Sequence, residues 1–403
     1  MTGSALAKDR LGRLRDVMAG YIDRREVPGL VALVRRRGEL HVDALGTLSL
    51  DGKSPVQHDT IFRIASMTKP VTAVAAMILV EECKLRLEEP VDRLLPELAN
   101  RKALKRFDGP LDDTVPARRP ITVRDLLTLR MGFGIVVAPP DSNPILKAAN
   151  DLHIGMGPPA PASIPAPDDW IRRLGTLPLM HQPGKKWMYN TGSDVLGVLI
   201  ARASGQPFEV FLRERIFDPL GMKDTSFSVP PEKISRLATC YSTNPQTGTL
   251  VVYDPARNGQ WSRPPAFPSG AGGLVSTADD FLAFSQMMLN KGKLGSVCLL
   301  SRPSVELITT DQLTPEQKAT SGLTEDFFES HGWGFGVSIV TRRTELAGSI
   351  GMYGWDGGLG TSWRADPEEN LTGILLTQSM WTSPSGPDVF LDFWASLYQS
   401  IGD

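Results

Sequence analysis

The spacing of apolar positions changes several times along the chain, and each change marks an element. Leu11, Leu14, Met18 and Ile22 recur at helical intervals with Arg and Asp between them, so the chain opens with an amphipathic helix ending before Val27-Pro28-Gly29. The run 30–34 is apolar and β-rich, Gly38 breaks it, and 40–45 is placed to pair back as the second arm of a hairpin. Residues 66–83 read as a helix whose Val71, Val74, Ala75, Ile78 and Leu79 cover more than one face, the pattern of a helix central to a core. Thr122 with Asp125 is a capping-box-like start for a short helix over 123–129, with Arg124 and Asp125 expected on its outer side. Thr277 and Asp280 start another helix, with Phe281, Phe284, Met287 and Met288 on one face and Lys291-Gly292 closing it. Strand-like runs return at 334–340, 345–348, 359–364 and 371–378, and a helix over 388–398 closes the chain.

Strands at both ends around a helical middle predict an α/β architecture, with one sheet assembled from both termini and a helical lobe inserted into it. The expected division places 1–88 and 204–403 in the α/β part and 89–203 in a mostly helical insertion. Inside the insertion, residues 138–167 hold prolines at 139, 140, 144, 158, 159, 161, 165 and 167, a density that predicts a long rigidified loop. Such a loop is either a surface excursion or a wall over a pocket.

Composition narrows the classes. At 403 residues, 41% hydrophobic and 22% charged, the chain has ample material for a large core and is neither disordered nor a mini-protein. Lys plus Arg total 43 against 45 for Asp plus Glu, so no global positive field recruits nucleic acid or an anionic membrane. Three distant cysteines, Cys83, Cys240 and Cys298, fit neither a disulfide framework nor a zinc site. The first twenty residues lack the apolar stretch of a secretory signal, and the longest apolar run, 71–80, is too short to span a bilayer. A cytoplasmic protein without membrane insertion is expected.

The five histidines form no HExxH pattern and group with no acidic residues at ligand spacing, so no metal is expected. GxSxG and GxxxxGK[ST] motifs are absent. One nucleophile signature remains, Ser66-Met67-Thr68-Lys69. At the start of a helix this spacing sets the Lys69 ammonium beside the Ser66 hydroxyl, where the helix dipole also favours developing negative charge. The serine follows the extended run 61–65 and precedes Pro70 and a long apolar helix, a suitable setting for a nucleophile.

These residues resemble the serine β-lactamase and penicillin-binding-protein superfamily, in its class C-like branch that includes the family VIII carboxylesterases. The similar stretches are 62–70, Pro183-Gly184 through Tyr189-Asn190-Thr191-Gly192 to Leu196-Gly197, Pro219-Leu220-Gly221-Met222, residues 270–277, and Trp355-Asp356-Gly357-Gly358. The resemblance implies a β-lactamase-like fold, an antiparallel sheet flanked by helices with a mostly helical inserted domain, and a cofactor-free acyl-enzyme chemistry. By the same resemblance Ser66 is the acylated nucleophile, Lys69 its partner and Tyr189 the general base, served by cations that stabilise its phenolate. The backbone N–H groups of Ser66 and Gly358 form the oxyanion hole, and Trp355, Asp356, Gly357, Asn190 and Thr191 contact substrate. Two departures bear on substrate: Thr191 stands where the family has asparagine, and Trp355 stands where it has Lys or His to hold a carboxylate. An apolar wall at 355 favours a small-molecule, uncharged, short-chain ester. A cephalosporin-type β-lactamase, an acyltransferase and a non-catalytic binding protein of the same fold stay open as alternatives, as does the oligomeric state. The tryptophans at 170, 187, 333, 355 and 381 are candidates for the cleft wall, and the 138–167 segment is expected to border its mouth and limit acyl length.

Overall fold

The computed structural model describes residues 5–139, 142–324, 326–383 and 385–402, so Pro140 of the proline-rich run lies outside the described residues. Helix α1 (Lys8–Asp23) leads into the hairpin β1 (Gly29–Arg36) and β2 (Glu39–Gly46). A central helix α2 (Thr68–Glu81) follows, then α3 (Thr191–Ser204) and α4 (Ala278–Leu289). The chain closes with β3 (His331–Trp333), β4 (Ser338–Val340), β5 (Tyr353–Gly357), β6 (Thr361–Asp366), β7 (Leu371–Thr377) and α5 (Asp388–Gln399).

The sheet runs β3-β4-β5-β6-β7-β1-β2 and is antiparallel throughout. The N-terminal hairpin joins the C-terminal strands through β1 and β7, in a register pairing Leu30 with Thr377 and Arg36 with Leu371. β1 is buried on both faces, which is why it reads as a continuous apolar run without alternation. Val31 and Leu33 face the core that contains α2 and α4, while Leu30, Ala32 and Val34 face α1 and α5. On that second face Tyr21, buried, belongs to the cluster that Ile22 only flanks. Residues 68–79 of α2 are all buried, as the apolar coverage of more than one face predicts.

Within 89–203 the elements are short helices and turns, with α3 packed on α2. The apolar core runs without interruption from Val31 and Ile374 of the sheet to Leu95, Ile121, Trp170 and Leu199 of this stretch.

Several local expectations are corrected. The proline-rich run is not all loop, because residues Pro144–Asp151 form a helix with Pro144 in its first turn, where the missing N–H costs no hydrogen bond. A two-stranded ribbon, Lys102–Leu104 with Thr114–Pro116, interrupts the helical stretch. The helix after Thr122 ends at Leu127, and Asp125 is buried rather than outward. Its carboxylate completes the capping box and takes both guanidinium nitrogens of Arg119 at 2.5 and 2.9 Å. The run 345–348 is a bend, and 334–340 is split between a turn and β4, with β3 preceding both. Trp355-Asp356-Gly357 ends a strand, and the chain turns at Gly358. Among the described residues no single helix is long and apolar enough to cross a membrane.

Candidate active site

Ser66 lies in a single 3-10 turn, Ala65–Met67, between a two-residue strand at Phe62–Arg63 and the start of α2. Ala65 holds φ at +44°, a left-handed conformation unfavourable for a residue with a Cβ. It bends the chain sharply just before the serine. The turn is fixed by Thr68 Oγ1, which donates to the Ala65 carbonyl at 2.7 Å, and by Thr361 Oγ1, which donates to the Ile64 carbonyl at 3.0 Å. Ser66 therefore precedes the α-helix instead of lying in its first turn. The three-residue spacing still brings Lys69 Nζ to 3.0 Å from Ser66 Oγ.

Lys69 is buried, with Asn190 Oδ1 at 2.8 Å and the Ala271 carbonyl at 2.7 Å as its other two acceptors. Burial lowers its pKa from the usual lysine value, and the Asp194 carboxylate works in the opposite direction. Ser66 Oγ, Asn190 Oδ1 and the Ala271 carbonyl together accept from all three N–H bonds of an ammonium, and the lowered pKa brings the neutral amine within reach. Asn190 adopts φ +81° to present its side chain to the lysine, and Thr191 behind it starts α3.

Tyr189 sits opposite the lysine, its ring centroid 4.3 Å from Nζ and its hydroxyl hydrogen-bonded to Ser66. Burial raises the phenol well above its ordinary pKa, with the hydrogen bonds from Ser66 and Trp355 acting to lower it. The resting side chain is thus a neutral phenol. Trp355, read from sequence as an apolar wall, also acts as a donor: its Nε1–H points at Tyr189 Oη across 2.6 Å. Its ring is held edge-on by Trp333, with centroids 4.7 Å apart, in a cluster with Trp187 and Phe328.

β5 carries Trp355-Asp356-Gly357 past the turn that holds Ser66. A Cβ on Gly357 would lie 2.2 Å from the Ile64 carbonyl oxygen, so only glycine permits this approach, whereas at Gly358 a Cβ would meet open space. Gly358 lines the same cavity as Ser66. Asp356 also reaches the cavity, but its carboxylate is held by Arg364 through contacts of 2.6 and 2.7 Å and by Ser362 at 2.6 Å. Of the expected contact residues, Asn190, Trp355 and Asp356 line the cavity, and Thr191 and Gly357 do not: Thr191 is buried in the helix start and Gly357 is pressed against residue 64.

The cavity has a volume of about 510 Å³. Residues 153–161 with Ser163 and Ile164 form one wall, so the proline-rich segment borders the cleft. Trp170, Trp355 and Trp381 line it, whereas Trp187 and Trp333 stand behind in the aromatic cluster. No Lys or Arg is found among its described lining residues, while Asp194 and Asp356 both reach it. No group of described residues could hold a metal ion.

Asp194 escapes a reading of motifs. It lies in the first turn of α3, accepts from Ser269 Oγ at 2.6 Å and from Ala271 N–H at 3.1 Å, and so fixes the segment whose carbonyl binds Lys69. Its one sequence signal is a carboxylate opening an otherwise apolar helix. Gly270 and Gly273 serve close packing, against the Ser193 carbonyl and Phe227.

A family model described as Beta-lactamase matches residues 14–390. An uncharacterized protein of Mycobacterium tuberculosis is 40% identical over 380 residues, covering 92% of this chain and 88% of that protein. Esterase EstB of Burkholderia gladioli is 31% identical over 399 residues, covering 93% and 92%. Among solved structures, EstCE1, described as a hydrolase with promiscuous acyltransferase activity, superposes with a TM-score of 0.78 at 24% identity, covering 97% of this chain and 99% of its own.

Proposed function

The chain belongs to the Beta-lactamase family, and from that footing we propose that it is a serine hydrolase cleaving short-chain, uncharged carboxylic esters through an acyl-enzyme on Ser66. The observation that carries this reading is the buried Lys69 Nζ, 3.0 Å from Ser66 Oγ, at the edge of a cavity lined by no Lys or Arg among its described residues. An anionic substrate would meet Asp194 and Asp356 there and find no cation.

In the proposed cycle Lys69 takes the hydroxyl proton as Ser66 Oγ attacks the ester carbonyl. Burial depresses the lysine and raises the tyrosine, so the first proton goes to Lys69 rather than to a Tyr189 phenolate. The backbone N–H groups of Ser66 and Gly358 receive the oxyanion, an interaction worth about 3 kcal/mol per donor. Tyr189 gives its proton to the departing alcohol oxygen and is refilled by the proton held on Lys69. Water then enters the vacated position, loses a proton to the same pair and attacks the acyl carbonyl, and Ser66 leaves carrying a proton again. An alcohol in place of water would make the enzyme an acyltransferase. A β-lactamase role has less support, because the Trp355 N–H is engaged by Tyr189 and Asp356 by Arg364.

The test compares wild type and Ser66→Ala on p-nitrophenyl butyrate and nitrocefin. Loss of butyrate hydrolysis in the variant, with nitrocefin turned over more slowly than the ester by wild type, is expected. Equal ester hydrolysis by both proteins removes Ser66 as nucleophile, and faster nitrocefin turnover reverses the substrate ranking.

A further inference from the structure

The wall formed by residues 153–164 is tied to the opposite side of the cleft by two side chains that do not themselves line the cavity. Tyr253, on the strand Leu250–Asp254, donates its hydroxyl hydrogen to the Pro159 carbonyl at 2.8 Å. Gln260 Oε1 accepts the Ala162 N–H at 3.2 Å. Between Pro159 and Ala162 lie only Ala160 and Pro161, and the Pro161 ring fixes φ, so pinning both points fixes the segment between them. The Pro159 ring rests over Gly272, where an added Cβ would be 3.1 Å from its Cγ.

The anchors are themselves joined to the nucleophile. Gln260 N–H donates to Asp254 Oδ1 at 2.6 Å, and the other oxygen of that buried carboxylate takes Arg63 Nε at 2.8 Å. Arg63 belongs to the short strand that delivers Ser66. One hydrogen-bonded chain thus runs from the nucleophile's own segment through Asp254 and Gln260 to the far wall, setting the distance between Ser66 and that wall.

We propose that Tyr253, with Gln260, is a specificity-determining positioning residue: it latches the proline wall at a fixed distance from Ser66 and so sets the upper length of the acyl group that the cavity admits. The proposal rests on the reading of this cleft as an ester site. Releasing the latch frees the wall to move outward, which improves long acyl chains while leaving the shortest ones, which do not reach it, unchanged.

The experiment measures kcat/KM on p-nitrophenyl acetate, butyrate and decanoate for wild type, Tyr253→Phe, Gln260→Ala and the double variant, with melting temperatures alongside. The decanoate-to-butyrate ratio is expected to rise about fivefold in Tyr253→Phe, the factor one neutral hydrogen bond commonly carries, and further in the double variant. Acetate turnover stays at the wild-type level. Chain-length profiles parallel to wild type in every folded variant would overturn the proposal. A second arm titrates methyl butyrate and methyl decanoate into Ser66→Ala, with and without Tyr253→Phe, by tryptophan fluorescence. The affinity ratio should shift in the same direction, and an unshifted ratio overturns the latch. Because this arm needs no turnover, it decides the latch even where the ester reading itself fails in the Ser66→Ala comparison.

Discussion

The indole N–H of Trp355 and the phenolic oxygen of Tyr189 are 2.6 Å apart, and this contact replaces a cation with a neutral donor. A lysine or histidine at 355 would offer charge to both the tyrosine and a substrate carboxylate. Tryptophan supplies only a directed hydrogen bond to the tyrosine, and its ring turns the remaining wall apolar.

Trp355→Phe keeps the ring and deletes the donor. Any negative charge that develops on Tyr189 as it protonates the leaving alcohol then loses a charge-assisted hydrogen bond, commonly worth about 1.5–3 kcal/mol. The expected result is a fall of about 10- to 100-fold in kcat for p-nitrophenyl butyrate with KM little changed. A rise in KM at constant kcat would instead assign Trp355 to substrate binding.

Asp194 raises the affinity of Lys69 for its proton, against the burial that lowers it. In the proposed cycle acylation requires the neutral amine, so kcat/KM is expected to rise with pH through the lysine's titration. Asp194→Asn removes the carboxylate's contribution, lowers the lysine pKa further and moves the acidic limb of the profile to lower pH. The pH dependence of kcat/KM between about pH 5 and 9 checks the direction, and an unmoved or alkaline-shifted limb would remove Lys69 as the titrating base.

Gly357→Ala places a methyl group 2.2 Å from the Ile64 carbonyl oxygen. Either β5 or the nucleophile turn must retreat, and both carry the site. The expected outcome is a fall in melting temperature of several degrees, consistent with overpacking of about 1–3 kcal/mol, together with loss of most esterase activity. The neighbouring Gly358→Ala meets open space and should fold with near-wild-type stability, which separates the two glycines.

The elements legible in the sequence were those with a single strong period or a local cap. β1 and residues 68–79 of α2 are almost wholly buried and therefore mostly apolar, and Thr277 caps α4 through its own side chain, accepting from Asp280 N–H. β5 leaves no alternating apolar signal because Gly354 and Gly357 interrupt it, and Gly357 is there for close approach to Ile64. Asp125 was placed outside because a helical wheel cannot register Arg119, which approaches from beyond the helix. Ser66, Lys69 and Tyr189 were legible through motif resemblance. Asp194 and Tyr253 were not, since one acts through the Ala271 segment and the other through Pro159, contacts across the fold that leave no mark on local spacing.

The pairing of β1 with β7 also fixes when a working site can exist. Ser66 and Lys69 leave the ribosome early, but Gly358 and the strands that carry it come from the far end of the chain. Until those strands add to the N-terminal hairpin, the sheet beneath α2 is limited to β1 and β2. The cleft that Ser66 shares with Gly358 depends on contacts between distant parts of the chain, the kind that forms slowly. In the proposed cycle the serine has no oxyanion partner until they form, so activity is expected to arrive with the C-terminal strands rather than grow with the chain.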